Sequence, residues 1–275
     1  VYLLTANGHA RCLAVLREGL QAGQPEVVGY SAEALTGAHY AFEVQPVLLD
    51  LLADPIEDRV RAGLVGELVR SGDAGAIVFL QDLLLAPEQE ARMEAARTLF
   101  RIGQSGDPAL LQAIVEGDED GRLQVYAAAA LQRAGRATTI GFIRGALDAE
   151  DPLVRSVATE VLLIVGDATD IPALQAGLER AEFQTDRAYL ERALAVLGDA
   201  GGRRAVLGQL GHPDSVIRAH AAQAVAEGWL TDASSRLYAL LDDPVLAVRV
   251  RAAHALLVLS DPESPALARR VRLDR

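Results

Sequence analysis

A short phrase recurs seven times along the chain: an aliphatic residue, usually an arginine, then small apolar residues and a leucine. Aligned on the arginine slot, the copies centre on Arg61, Arg92, Gln124, Arg155, Arg187, Arg218 and Arg249, so the slot returns at a nearly constant interval. A weaker copy puts Val28 in the slot, one such interval before Arg61. A fixed period of this length constrains the fold more than any other feature. Each unit is one supersecondary element that cannot bury its apolar face alone, so neighbours must stack. The expected fold is all-α, an α-α superhelix (solenoid) of about eight helical hairpins.

Within each period the pattern reads as two helices. The first carries leucines at helical spacing, over 46–53, 76–85, 108–115, 140–147, 171–178, 203–210 and 235–241. The second carries the recurring phrase. Counted from the slot, offsets −1, +3, +4 and +7 hold Val60, Leu64, Val65 and Leu68, then Ala91, Ala95, Ala96 and Leu99, then Leu123, Ala127, Ala128 and Leu131. Those offsets form one helical stripe and are expected in the core. In the copy at Arg187 the stripe is broken by Asp186 and Glu191. Either Glu191 pairs with Arg187 or the helix is rotated and both acids are solvated, the reading preferred.

Turns between the two helices carry Asp54-Pro55, Asp151-Pro152, Pro213-Asp214 and Asp243-Pro244, which suit a helix start. Gly72, Gly103, Gly166 and Gly198 sit where second helices should end in a left-handed residue. The expected organisation is one solenoid over residues 1–275. Its repeats fall near 9–40, 45–72, 74–104, 107–135, 138–167, 170–199, 201–229 and 232–261, with a tail over 262–275.

The phrase VR-x-x-AA-x-AL preceded by Asp-Pro, on a period near 31, resembles bacterial HEAT repeats of the phycobilisome-lyase-like type. The resemblance runs from about His9 to Asp261. It implies that the slot arginines hydrogen-bond to the inter-helix aspartates of neighbouring repeats. That structural ladder would comprise Arg61, Arg92, Arg155, Arg187, Arg218 and Arg249 with Asp54, Asp118, Asp151, Asp214 and Asp243, interrupted at Gln124 and Val28. It also implies that the second helices line the concave face. Such repeats occur in bilin lyases, scaffolds and appended domains alike, so the resemblance speaks to fold more than to activity.

Composition excludes several chemistries. With 38 acidic and 26 basic residues, the net charge is −12, a field that repels phosphate backbones. Neither nucleic acid nor membrane insertion is expected, since no apolar run approaches ~20 residues. No lysine is present, so a Walker-type loop or a Schiff-base lysine cannot exist. One cysteine, Cys12, rules out an internal disulfide and CxxC metal spacing. It leaves the compartment open, with the cytoplasm preferred. The chain opens on Val1 with no leader-like stretch, as expected for a piece of a longer chain or part of a complex.

Three further features suit structural roles better than chemical ones. Gly103-Gln104-Ser105-Gly106 lacks nucleophile-elbow spacing and reads as a helix terminator. The acids Asp118-Glu119-Asp120 suit solvated capping better than cation binding. His220 and His254 fall at +2 and +5 of adjacent second helices, and a metal or acid–base pair there is less expected than two surface histidines. Neither catalytic residues nor a metal or cofactor are expected.

On a concave face built from second helices, offsets +2, +5 and +9 point into the groove. These 21 positions hold six arginines and three acids, a local +3. Arg70, Arg97, Arg101, Arg133 and Tyr126 are expected to form one patch, extended by Tyr189, Arg192, His220, Arg251 and His254. Arginine and tyrosine are typical binding anchors. The partner expected is a protein or an acidic peptide, held by arginine forks. The function expected is therefore a non-catalytic interaction scaffold or accessory binding domain. The alternatives are a bilin lyase or isomerase acting on a tetrapyrrole, and a repair glycosylase, against which the −12 charge weighs.

Overall fold

The sequence period resolves into helix pairs. The computed structural model describes residues 6–117, 120–135, 139–181, 183–261 and 263–264. Most of the expected tail over 262–275 lies outside them. Among the described residues the regular structure is helical and no strand occurs. Eight pairs follow in order: α1 (Ala6–Leu20) with α2 (Pro25–Gly37), α3 (Ala41–Ala53) with α4 (Asp58–Arg70), α5 (Ile77–Leu83) with α6 (Gln89–Ile102), and α7 (Pro108–Gly117) with α8 (Gly121–Arg133). Then come α9 (Ile140–Gly145) with α10 (Pro152–Val165), α11 (Ile171–Arg180) with α12 (Gln184–Leu197), α13 (Ala200–Gln209) with α14 (Ser215–Glu227), and α15 (Ser234–Leu240) with α16 (Leu246–Ser260). This is the all-α helical-hairpin repeat architecture expected from the period.

The slot has a structural meaning that the phrase alone does not show. In every second helix it is the fourth residue, from Val28 in α2 through Arg249 in α16. A side chain there leans back toward the helix N-terminus and reaches the turn before it. Arg155 Nη1 lies 2.7 Å from the carbonyls of Ala149 and Glu150. Arg218 Nη1 lies 2.8 Å from those of His212 and Pro213. Arg92 does the same at Ala86 and Pro87, and Arg249 at Asp243 and Pro244. Arg187 reaches the Leu178 carbonyl at 3.0 Å. Gln124, the odd residue in the slot, still donates to the Val115 carbonyl at 3.1 Å.

The ladder is therefore chiefly internal to each repeat, closing a turn on its own carbonyls. An arginine-to-aspartate link between repeats is present at Arg218, whose Nε and Nη2 meet Asp243. Asp151 and Asp214 instead cap their own helices by accepting from the N–H two residues on, and Asp243 also accepts from the Val245 N–H just before α16. Asp54 ends α3 and caps no helix with its side chain. Arg61 lies 3.9 Å from Asp58 and 5.9 Å from the Phe79 ring centroid. Asp118 lies outside the described residues, as does Glu119.

The helices group into two compact units, Leu35–Val165 and Val1–Ala34 with Gly166–Arg275. In the first, α4, α6, α8 and α10 pack in sequence. Their core is the expected stripe: Leu64, Val65, Leu68, Ala95, Ala96, Leu99, Ala127, Ala128 and Leu131 are all buried. Alanine at +3 and +4 lets successive helices approach closely at full packing density. In the second unit, α12, α14 and α16 pack in sequence, and α1 lies along α16. The beginning of the chain thus extends the stack formed by its end. Arg11 pairs with Asp242 across that contact, and Arg249 Nη2 meets Glu18 Oε1 at 2.5 Å.

Turn chemistry follows the sequence in most places. Gly72, Gly103 and Gly198 are left-handed, with φ of 117°, 73° and 104°. Gly166 is not among the left-handed glycines, because Asp167 opens a capped turn directly after it. The expectation for Glu191 is corrected. The helix is continuous over Gln184–Leu197, and Glu191 is half-buried with Gln209 Nε2 2.5 Å away. Burial pushes its carboxyl upward, while the Arg187 charge pulls it down.

Candidate functional site on the second helices

Within the unit 35–165, offsets +2 and +5 of α6, α8 and α10 converge. Arg97 on α6 meets Glu160 on α10, with Nε 3.0 Å and Nη2 2.9 Å from Oε1. The two residues are 63 positions apart, two repeats rather than one. The intervening helix makes this possible, because its +5 residue is Ala129, fully buried, whose methyl leaves room for the arginine to pass. Tyr126 donates its hydroxyl to Glu160 Oε2 at 2.8 Å, and Glu94 lies 3.5 Å from Arg97 Nη1.

The two glutamates titrate in opposite directions for physical reasons. Burial works to raise both. At Glu160 the Arg97 charge and the Tyr126 hydroxyl outweigh it, holding the carboxyl below its ordinary value. At Glu94 burial outweighs Arg97, and repulsion from Glu160 adds to it, so the carboxyl is raised. Burial, and then the charge of Glu160, push the Tyr126 hydroxyl well above the ordinary phenol range.

The remaining expected members of this patch sit close by. Arg133 Nη1 donates to the carbonyls of Phe100 and Arg101 at 2.6 and 2.8 Å, closing the C-terminal end of α6. Its guanidinium stands 5.9 Å from the Phe100 ring centroid. Arg70 pairs with Glu67 on its own helix at 2.5 Å. Arg101 adds positive charge beside Glu94 and Glu160, lowering the pKa of each. Tyr126 is buried, at 4% exposure, whereas the Arg97 side chain is 35% exposed.

In the other unit a second cluster forms on α12 and α14. Arg192 forks onto Glu227, with Nε 2.9 Å from Oε2 and Nη2 2.6 Å from Oε1. Gln223 donates to the same carboxylate at 2.9 Å. Beside them Tyr189, 36% exposed, lies against His220 with ring centres 5.5 Å apart and tilted by 46°. Arg251 does not extend this face as expected. It is 5% exposed, stacked 3.7 Å from the Tyr30 ring centroid and 3.2 Å from Glu33. His254 is half-buried on α16.

Arg97, Arg192 and Arg251 thus already meet carboxylates of their own unit. Glu160 and Glu227 were visible in the sequence at offsets +5 and +9, but which helix they would face was not. Cys12 is buried and its thiol is pushed up to about 11, chiefly by desolvation. Among the described residues no group of three or more His, Cys, Asp or Glu is placed to hold a metal ion. No described helix is long and apolar enough to cross a membrane.

Comparison with known proteins places this architecture. The family model for HEAT repeats matches residues 107–195. Among solved structures, human deoxyhypusine hydroxylase in complex with glycerol is similar at 21% identity and a TM-score of 0.42, covering 91% of this chain and 96% of that one. The complex of CpcE and CpcF of phycocyanin lyase from a Nostoc species is similar at 17% identity and a TM-score of 0.37, over 94% of this chain and 96% of the other. An engineered protein matches at 21% identity and a TM-score of 0.26, over 90% and 96%. No curated protein is similar enough in sequence to count as a relative. Residues 107–195 match the HEAT-repeat model directly, and the same period and fourth-position slot continue on both sides of them.

Proposed function

We propose that the protein is a non-catalytic interaction module that binds a partner polypeptide on the exposed faces of its second helices. HEAT repeats generally mediate protein interactions. The observation that carries the reading is the cluster on α12 and α14, where exposed Tyr189 rests on His220 beside the Arg192–Glu227 fork. A half-exposed aromatic beside a pre-oriented guanidinium offers contact area and directed donors at little entropic cost. On the other unit Arg97 and Arg101 play the corresponding part. On each unit by itself, acidic side chains of the partner would share these guanidinium groups with the carboxylate that holds them in place, Glu160 on one and Glu227 on the other.

The test is affinity capture from the source organism with the wild-type chain and with two variants, Tyr189→Ala and the double reversal Arg97→Glu/Arg101→Glu. A specific partner retained by the wild type and lost from either variant supports the reading. A shifted visible absorption band on mixing with a bilin would overturn it in favour of a tetrapyrrole enzyme.

A further inference from the structure

Acidic charge is not spread evenly along this chain. Residues 41–90 hold ten carboxylates against three arginines, a net −7 of the chain's −12. Two of those arginines, Arg61 and Arg70, are turned to Asp58 and Glu67 of their own helix. The same stretch leaves four large apolar side chains uncovered. Phe42 and Leu49 on α3 are 71% and 53% exposed, and Val78 on α5 and Leu85 just past its end are 55% and 69% exposed.

These are not scattered positions. Each pair is seven residues apart, two helical turns, so each forms a strip on the side opposite the core residues Val44 and Leu48 in α3, and Leu80 and Leu83 in α5. Asp50 and Asp82 are exposed on the same two helices. Both helices pack on α4, and Gln45 of α3 donates to the Ser71 carbonyl at 2.9 Å, where α4 ends and the loop toward α5 begins. An exposed apolar surface of this kind marks an interaction site more often than chance.

We propose that this outer face of α3 and α5 docks a cationic amphipathic helix of a partner protein. The apolar side of that helix covers Phe42, Leu49, Val78 and Leu85, and its arginines or lysines meet Asp50, Asp82 and the surrounding negative field. Charge decides among occupants. A second copy of this chain, an anionic membrane and a nucleic acid would each bring negative charge to a surface that is already strongly negative. The site lies on first helices, whereas the function proposed above uses the second, so either can fail without the other.

The probe is a synthetic helical peptide of leucine and arginine in amphipathic register, with a glutamate-for-arginine control of the same apolar pattern. Binding to the full chain is read by fluorescence anisotropy at low and high salt. The basic peptide is expected to bind at least tenfold more tightly than the acidic one, and to weaken as salt rises. Leu49→Ser/Leu85→Ser should weaken it tenfold or more. Asp50→Arg/Asp82→Arg leaves the apolar strips intact and should reverse the preference toward the acidic peptide. Equal binding of the two peptides, or basic-peptide binding unchanged in both variants, overturns the proposal. So does a dimer in sedimentation that the Leu49→Ser/Leu85→Ser variant abolishes, which would make a second copy the occupant. All four substituted side chains are exposed, and a thermal melt by circular dichroism checks that the fold is kept.

Discussion

Arg218 forks onto Asp243 across the boundary between two repeats, with Nε 2.8 Å from Oδ2 and Nη2 3.0 Å from Oδ1, while its Nη1 closes its own turn. Asp243 in turn accepts from the Val245 N–H at 2.9 Å, immediately before α16 begins. One ion pair therefore joins a turn, a repeat boundary and a helix start. Arg249 repeats the arrangement one step on, with Glu18 of α1 in the place of the aspartate.

Arg218→Ala is expected to cost about 2–4 kcal/mol in chemical denaturation, since it strands a buried carboxylate. Burial acts to raise Asp243, but the Arg218 hydrogen bonds and the Val245 N–H outweigh it and hold the carboxyl below its ordinary value. Its contribution is therefore fully present above the unfolded pKa of about 3.9 and lost as pH falls through the folded one. The variant should lose less stability than wild type over that acid range. A change under about 0.5 kcal/mol at neutral pH, the size of an ordinary surface substitution, would contradict the role.

Glu94 gives the opposite sign. Its folded carboxyl is raised, so ionising it costs the folded state stability above the folded pKa and costs nothing below the unfolded value of 4.5. Glu94→Gln should stabilise the chain at neutral pH, and the gain should vanish in acid. Tyr126→Phe, which removes a hydrogen bond to ionised Glu160, should cost about 1.5–3 kcal/mol at neutral pH. Denaturant titrations at three pH values distinguish the two.

Two glycines in α13 should respond in opposite directions to the same change. A Cβ on Gly202 would come within 2.6 Å of the Ala195 nitrogen and 2.7 Å of the Glu191 carbonyl oxygen, both backbone atoms of α12. Gly202→Ala should destabilise by about 1–3 kcal/mol or more. Gly208 has nothing within 4 Å of its virtual Cβ. Gly208→Ala should stabilise by about 0.5–1 kcal/mol, the ordinary helical preference. Thermal melts of the two variants provide the comparison.

Arg251 holds α2 to α16 by stacking on Tyr30 and pairing with Glu33. Arg251→Ala should speed hydrogen exchange in α1 and α2 tenfold or more while leaving α4 to α8 unchanged. Arg251→Lys should rescue little of this, because an ammonium lacks the flat face that stacks on the ring. Uniform exchange along the chain would refute a local anchor.

Much of the architecture was legible because it is periodic. The alanines and leucines at +3, +4 and +7 had to face inward, and they do in α4, α6 and α8. The glycine stops were legible at Gly72, Gly103 and Gly198, where a side chain would strain the backbone. The arginine slot was legible as structural, but not its mode of action. Its partners are main-chain carbonyls, and these carry no sequence signal.

The candidate site was less legible, for a related reason. Offsets named the face on which Arg97, Arg192 and Arg251 lie, but not the acids they would meet. Arg97 passes its neighbouring repeat and reaches Glu160 two repeats away, because Ala129 is small. Arg251 is taken by Tyr30 and Glu33, from a helix near the opposite end of the chain.

The sequence by itself determined the repeat, its helical register and its core, because burying one apolar stripe in every period admits few other solutions. Only the tertiary structure decided which charges are satisfied internally, and that the chain's first helix packs along its last. Those outcomes depend on distances between elements far apart in the chain, which a short repeated phrase does not encode.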